Sequence, residues 1–223
     1  MSAPSLQLTV TRLPVRVRIS PAAWAWSAAE RFFAAAALVL LLPLLAAIAL
    51  LVLIASRRTP FIAHRRVGRH GVEFWMLKVR TMWFPSPSRG EFVWIEYLSE
   101  THVPVFKTAS DPRITSRLAL FLRRFSLDEL PQLVHVLTGK MRLVGPRPVT
   151  RSEWDAYYGP SAAEVLAVLP GITGLWQVTG RNRLTYAQRR RLDRFYARHS
   201  SPRFDLLLLL RTPARVLSGR DAS

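Results

Sequence analysis

The chain has 223 residues, no cysteine, a half share of hydrophobic residues and a formal net charge of +18. That size allows one domain with a real core, or a smaller domain plus an anchor, and we read the second. The lack of cysteine excludes a disulfide framework, and five histidines (His64, His70, His102, His135, His199) without ligand spacing argue against a zinc site.

The positive charge is concentrated after Ser56, where 28 Lys and Arg face 13 Asp and Glu for a net +15. Only Lys78, Lys107 and Lys140 in that part are lysines. Arginine is the better planar, bidentate partner for phosphate, so the balance implies a polyanionic partner: nucleic acid, an anionic bilayer or a phosphorylated substrate.

Taken in order, residues 1–26 are interrupted by Pro4, Pro14 and Pro21 and end on Trp24 and Trp26, a residue type that favours membrane interfaces. The following apolar run starts too late for a signal peptide. From Phe32 to Ala55 no side chain is charged, and as one straight helix the run would reach ~36 Å, enough to cross a ~30 Å hydrocarbon core. Two features weigh against a simple crossing. Pro43 removes a backbone bond near the centre, and basic residues flank both ends, so both ends suit the cytoplasm. A helix broken at Pro43 would have arms of ~16 and ~20 Å, each able to dip into one leaflet and return, and the residues alone leave crossing and re-entry open.

Beyond Ser56, FIAHRRVG and VEFWMLKVRTM predict a β-hairpin around Gly68–Gly71. Residues 83–104, rich in proline and aromatics, read as a loop. A helix is predicted over 114–125 and a short one over 130–137, ended by Gly139. Gly145-Pro146-Arg147-Pro148 predicts an extended, stiff backbone holding Arg147 outward. Residues 154–169 read as an amphipathic helix closed by Pro170-Gly171, and PGITGLWQVTGR (170–181) as tight turns around Trp176. A basic helix over 185–198 and an apolar one over 205–217 complete the chain; leucine on every face of the latter suggests burial against protein or lipid.

The stretch SLDELP, Ser126–Pro131, sets adjacent carboxylates Asp128 and Glu129 in a field of arginines that includes Arg113, Arg117, Arg123, Arg124, Arg142 and Arg147. A carboxylate in such a field stays ionised, and can attack phosphorus or bind Mg2+. The same six residues also spell S-x-x-E, a capping box that needs no chemistry.

Taken together, RVGRHG (66–71), KVRTM (78–82), VFKTASDPRIT (105–115), SLDELPQL (126–133), LVGPRP (143–148), PGITGLWQVTGR (170–181) and VLSGR (216–220) resemble the bacterial sugar transferases, or monotopic phosphoglycosyl transferases, from Phe32 to Ser223. The resemblance implies an α+β, mainly helical membrane protein: an N-terminal extension (1–31), a re-entrant helix broken at Pro43 (32–56), and a cytoplasmic catalytic domain (57–223) with a small β-hairpin and amphipathic interface helices. It implies transfer of a sugar-1-phosphate from a UDP-sugar donor to polyprenyl phosphate at the cytoplasmic face of a bacterial inner membrane. UMP is released, and polysaccharide or glycoconjugate assembly begins. Asp128 would be the nucleophile and Glu129 a holder of Mg2+, the expected cofactor, with both acids at the metal. Lys78, Arg80, Arg113, Arg123, Pro146, Arg147, Pro148 and Arg181 would contact phosphate or nucleotide. The expected partners are the donor, the lipid acceptor and membrane lipids, with no nucleic acid; the oligomeric state stays open, a homodimer included. Two positions depart from the family pattern: Leu42 stands before Pro43 where the family has serine, and Val149 where many members have an acid. The competing reading is a membrane-anchored basic module that binds anionic lipid or nucleic acid without catalysis.

Overall fold

The structure, a computed structural model, describes residues 21–83, 93–98, 116–180 and 183–218. Helix α1, Pro21–Ser56, takes in residues 21–31 as well as the whole apolar run, and its helical geometry continues through Pro43. At 36 residues it would reach ~54 Å if straight. One stripe of it, Ala34, Leu45, Ile48 and Val52, is buried against the rest of the protein. The other faces leave Phe32, Val39, Leu40, Leu50 and Ile54 exposed. An exposed apolar surface of this extent marks an interaction site, and the helix is long and apolar enough to cross a membrane. Mostly helical, with a small sheet and one long apolar helix, the fold is compatible with a monotopic membrane protein.

The expected hairpin is present: β1 (Phe61–Val67) and β2 (Glu73–Val79) pair antiparallel, with Ile62 opposite Lys78. Its turn uses left-handed His70 and Gly71. The reading of 83–104 as loop needs one correction, because Ile95–Leu98 forms a third strand, β3, parallel to β1. On its other edge β2 is closed by helix: the Leu77 N–H donates to His135 Nε2 at 2.9 Å. Burial, aided by the charge of Lys140, lowers the His135 pKa to about 4, which keeps the ring neutral and able to accept that bond.

Helix α2 is Arg117–Arg124, capped by Ser116, and α3 is Leu133–Leu137; between them lies a 3-10 segment, Leu127–Gln132. Ala34 of α1 packs with Phe74, Met76, Leu133, Val136 and Met141, while Ile48 and Val52 pack with Val79 and Leu122. Both halves of α1, before and after Pro43, therefore rest on groups built around β2.

A second, parallel pair joins β4 (Arg142–Val144) to β5 (Gly171–Thr173). Here the glycines serve close approach, where turns were expected. A Cβ at Gly171 would overlap the Gly145 backbone nitrogen, and one at Gly174 the Gly145 carbonyl. The predicted helix over 154–169 is broken: α4 (Arg151–Glu153) runs into a π-turn (Trp154–Tyr158), and after left-handed Gly159 a 3-10 segment (Pro160–Ala167) follows. Gly159-Pro160 imposes the break, since proline lacks the N–H that a continuing helix needs. Helices α5 (Leu175–Thr179), α6 (Tyr186–His199) and α7 (Pro202–Ser218) complete the fold. Leu208 of α7 packs with Val144 and Tyr196, whereas Leu206, Leu207 and Leu210 remain exposed, so only one face of the leucine run is buried against protein.

An ion network fastens α1 to this second half. Arg142 donates from Nε to Glu30 Oε2 and from a terminal nitrogen to Asp205 Oδ2, both at 2.8 Å. The Leu143 N–H donates to Glu30 Oε1, Trp26 Nε1 to Asp205 Oδ2, and the Tyr196 hydroxyl to Asp205 Oδ1 at 2.6 Å. Glu30 and Asp205 are almost wholly buried, a state that carboxylates sustain only when paired and hydrogen-bonded.

Candidate active site

Asp128 and Glu129 ride on the 3-10 segment that packs against β2. The chain enters it through Ser126, a non-glycine residue at φ 55°, ψ 24°. This left-handed conformation is disfavoured for an L side chain, the kind of strain that clusters at functional sites.

The capping-box alternative does not hold. The Ser126 side chain makes no cap hydrogen bond, and the Glu129 carboxylate instead meets Lys78 Nζ of β2 at 2.7 Å. Capping boxes do occur in this chain, at Thr150–Glu153 and Thr185–Gln188. Asp128 is buried, with 9% of its surface exposed. The Lys78 and Glu129 side chains are both largely covered, so their pairing is stronger than an exposed one.

Beside the pair lies a cavity of about 280 Å3. Ser126 and Glu129 form part of its wall; Leu133, Ile172, Val178 and Leu209 contribute others. A carboxylate pair, a lysine and an adjoining cavity suit chemistry on a phosphorylated substrate.

The other expected contacts are dispersed. Arg80 is buried, donating to the Thr59 carbonyl and hydroxyl at 2.7 Å each and pairing with the Glu96 carboxylate, which ties β2 to β3. Arg123 is half-buried in the last turn of α2, next to the dyad segment. Pro146 and Pro148 are buried, and the Pro146 carbonyl accepts from Gly171 N–H. Arg147 is half-buried: its guanidinium lies 4.9 Å from the Trp176 ring centroid, and that of Arg189 lies 5.0 Å from it. Arg113 and Arg181 fall outside the described residues. The sequence reading missed Arg189 and the α7 side chains of the cavity. For Arg189 the available signal was its place in the basic run of α6, three residues after Tyr186.

The family model described as "Bacterial sugar transferase" matches residues 22–219. The chain belongs to that family. It is 42% identical over 188 residues to the UDP-galactose-lipid carrier transferase of Erwinia amylovora, covering 81% of this chain and 38% of that protein. With the exopolysaccharide production protein ExoY of Rhizobium meliloti it shares 39% over 183 residues, covering 79% and 78%. With the undecaprenyl-phosphate galactose phosphotransferase of Salmonella typhimurium it shares 40% over 166 residues, covering 72% and 33%. The chain thus spans about a third of the length of the first and last of these relatives and most of ExoY.

Within the family pattern, Val149 has a clear local reason. It is buried among Val67, Trp154 and Tyr158, and its carbonyl accepts from Val67 N–H at 2.8 Å. An acid here would lie in an apolar cluster. Leu42, beside Pro43, is on an exposed face of α1.

Proposed function

We propose that the protein is a phosphoglycosyl transferase that moves a sugar-1-phosphate from a UDP-sugar to polyprenyl phosphate and so initiates polysaccharide or glycoconjugate assembly. The observation that carries this reading is the Asp128–Glu129 pair, held by Lys78 on a strained segment beside a cavity, in a chain of the sugar transferase family.

In the first displacement the Asp128 carboxylate attacks the sugar-bearing phosphorus of the donor. A phosphorus–oxygen bond forms to Asp128, the bond to the bridging oxygen breaks, and UMP leaves with that electron pair. In the second, a phosphate oxygen of the polyprenyl phosphate attacks the same phosphorus. The Asp128 carboxylate is released and a polyprenyl diphosphate sugar results. Splitting the transfer through a carboxylate nucleophile replaces one difficult exchange with two easier ones. Lys78 fixes the Glu129 carboxylate beside Asp128.

Two neighbouring carboxylates suit Mg2+, which is commonly held by one or two acids with phosphate oxygens and water filling its shell. Among the described residues no group of three or more His, Cys, Asp or Glu could hold a metal, so substrate oxygens would have to supply the rest. Asp128 and Glu129 would hold the ion, which when bound neutralises charge on nonbridging oxygens.

The same reading makes α1 re-entrant, with the catalytic part on the cytoplasmic face of a bacterial inner membrane. Its support is that Ala34 and Val52, on either side of Pro43, both pack on groups around β2; a crossing helix would carry one of those contacts away from the domain. Cysteines placed singly at Ser5 and Ser223 of the cysteine-free chain would both react, or both be protected, with a membrane-impermeant thiol reagent; one of each would mean a crossing.

The deciding experiment is UMP release from a panel of UDP-sugars with undecaprenyl phosphate and Mg2+. Turnover that disappears in Asp128→Asn is the expected result. No release with any UDP-sugar, together with salt-sensitive binding of lipid or nucleic acid that ignores both acids, would overturn the reading in favour of a binding module.

A further inference from the structure

We infer that the cavity beside the dyad seats the first isoprene units of the polyprenyl phosphate acceptor, and that α7 is therefore part of acceptor recognition; this rests on the transferase reading. The walls of the cavity join Ser126 and Glu129 of the dyad segment to Leu209, Thr212, Arg215 and Val216 of α7. One apolar space thus borders both the reacting segment and the C-terminal helix.

Its chemistry selects among the substrates. Of the uncharged polar side chains in its walls, Thr173, Gln177 and Thr212 each turn a donor to protein. The Thr212 hydroxyl donates to the Leu208 carbonyl at 2.8 Å, the Thr173 hydroxyl lies 2.9 Å from that of Thr212, and Gln177 Nε2 donates to the Ile172 carbonyl at 3.2 Å. Gln177 Oε1 is buried, with no accessible surface of its own and no hydrogen-bond partner among the described residues. What these residues offer the cavity is hydrocarbon, alongside Leu130, Leu133, Leu143, Ile172, Val178 and Leu209. A nucleoside diphosphate needs donors for its phosphates and base, and finds few in such walls; a branched hydrocarbon chain needs none. Arg215, the cation of the wall, suits the end of a ligand that carries a phosphate.

Size and position agree. At the ~30 Å3 that a water molecule occupies in the liquid, about 280 Å3 holds on the order of ten non-hydrogen atoms, or one to two isoprene units. The remainder of a polyprenyl chain needs a way out to lipid. Leu209 lines the cavity while its neighbour Leu210 is 70% exposed and Leu206 49%, so α7 carries apolar surface continuously from the cavity to the outside.

The test separates the two half-reactions. In Val178→Trp and Val216→Trp, which fill the cavity from α5 and α7, the KM for polyprenyl phosphate should rise at least tenfold. The burst of UMP released by enzyme and UDP-sugar without acceptor should stay within twofold. A slowed burst with an unchanged acceptor KM would assign the cavity to the donor and overturn the inference, as would no change in either. A measurement on the unaltered protein guards against misfolded variants: geranyl phosphate bearing a diazirine should photolabel residues of α5 and α7. Labelling confined to α1 would overturn the inference. If unaltered protein released no UMP from any UDP-sugar, the transferase reading itself would fail, a result distinct from either outcome above.

Discussion

Two places in this molecule bring a pair of carboxylates together with a cation, and they do opposite things. In the first, Glu30 and Asp205 close around Arg142, and each of their four oxygens accepts a hydrogen bond from within the protein. In the second, Asp128 and Glu129 lie side by side on a strained 3-10 segment, Lys78 holds Glu129, and a cavity opens next to them. The closed site joins α1, β4 and α7. The open one presents charge to a space that a substrate can enter. Composition alone would rank them together; access separates them.

If that contrast is right, substitutions should divide cleanly between activity and stability. The largest effect is expected for Asp128→Asn, with UMP release falling at least about a thousandfold, or ~4 kcal/mol in barrier, while the thermal midpoint moves by no more than a few degrees. Arg142→Ala should do the reverse, leaving two buried acids unpaired and destabilising the protein by roughly 3–5 kcal/mol, readable as a lowered denaturation midpoint in detergent. Lys78→Met removes the cation from the open site. We expect kcat/KM to drop about thirtyfold, ~2 kcal/mol, with little loss of stability.

The smallest effect sharpens the comparison from a neutral group. Burial lowers the folded-state pKa of His135 to about 4 from 6.5, so the unfolded chain binds the extra proton between those values. His135 therefore contributes its full stability above pH 6.5, and that contribution is lost as pH falls towards 4. His64, lowered to about 4 by burial and then by Arg66, Lys78 and Arg80, acts in the same direction. Each should remove roughly 2 kcal/mol between pH 7 and pH 5, and His135→Gln should flatten its share of the slope in denaturant titrations at the two pH values.

What the sequence disclosed follows the range of the interactions involved. The β1–β2 hairpin was legible because alternation and glycines act locally, and the dyad because two adjacent acids among arginines are visible in six residues. The short strand Ile95–Leu98 was not, since it exists through parallel pairing with β1 more than thirty residues earlier. The S-x-x-E signature by itself pointed to a cap. It was Lys78, 51 residues away, that took the Glu129 carboxylate. The helix expected over 154–169 failed at Gly159-Pro160, where two breakers were read too lightly. Arg147 was expected to be held outward as a phosphate or nucleotide contact; its place over Trp176 was not legible, because that ring belongs to a distant motif. Glu30 gave one faint signal, a lone acid at the head of an apolar run, but nothing in its spacing named Arg142, 112 residues on.

The same network sets the order in which the protein is made. Trp26 and Asp205 are 179 residues apart, which at ~5–20 residues per second is roughly 10–35 s of synthesis. During that interval the apolar helix can already have met the bilayer, while the acid at its head has neither Arg142 nor the last helix to fold against. Membrane insertion and docking are thus separated in time: the anchor can be set early, but its lock closes only once the last helix has been made.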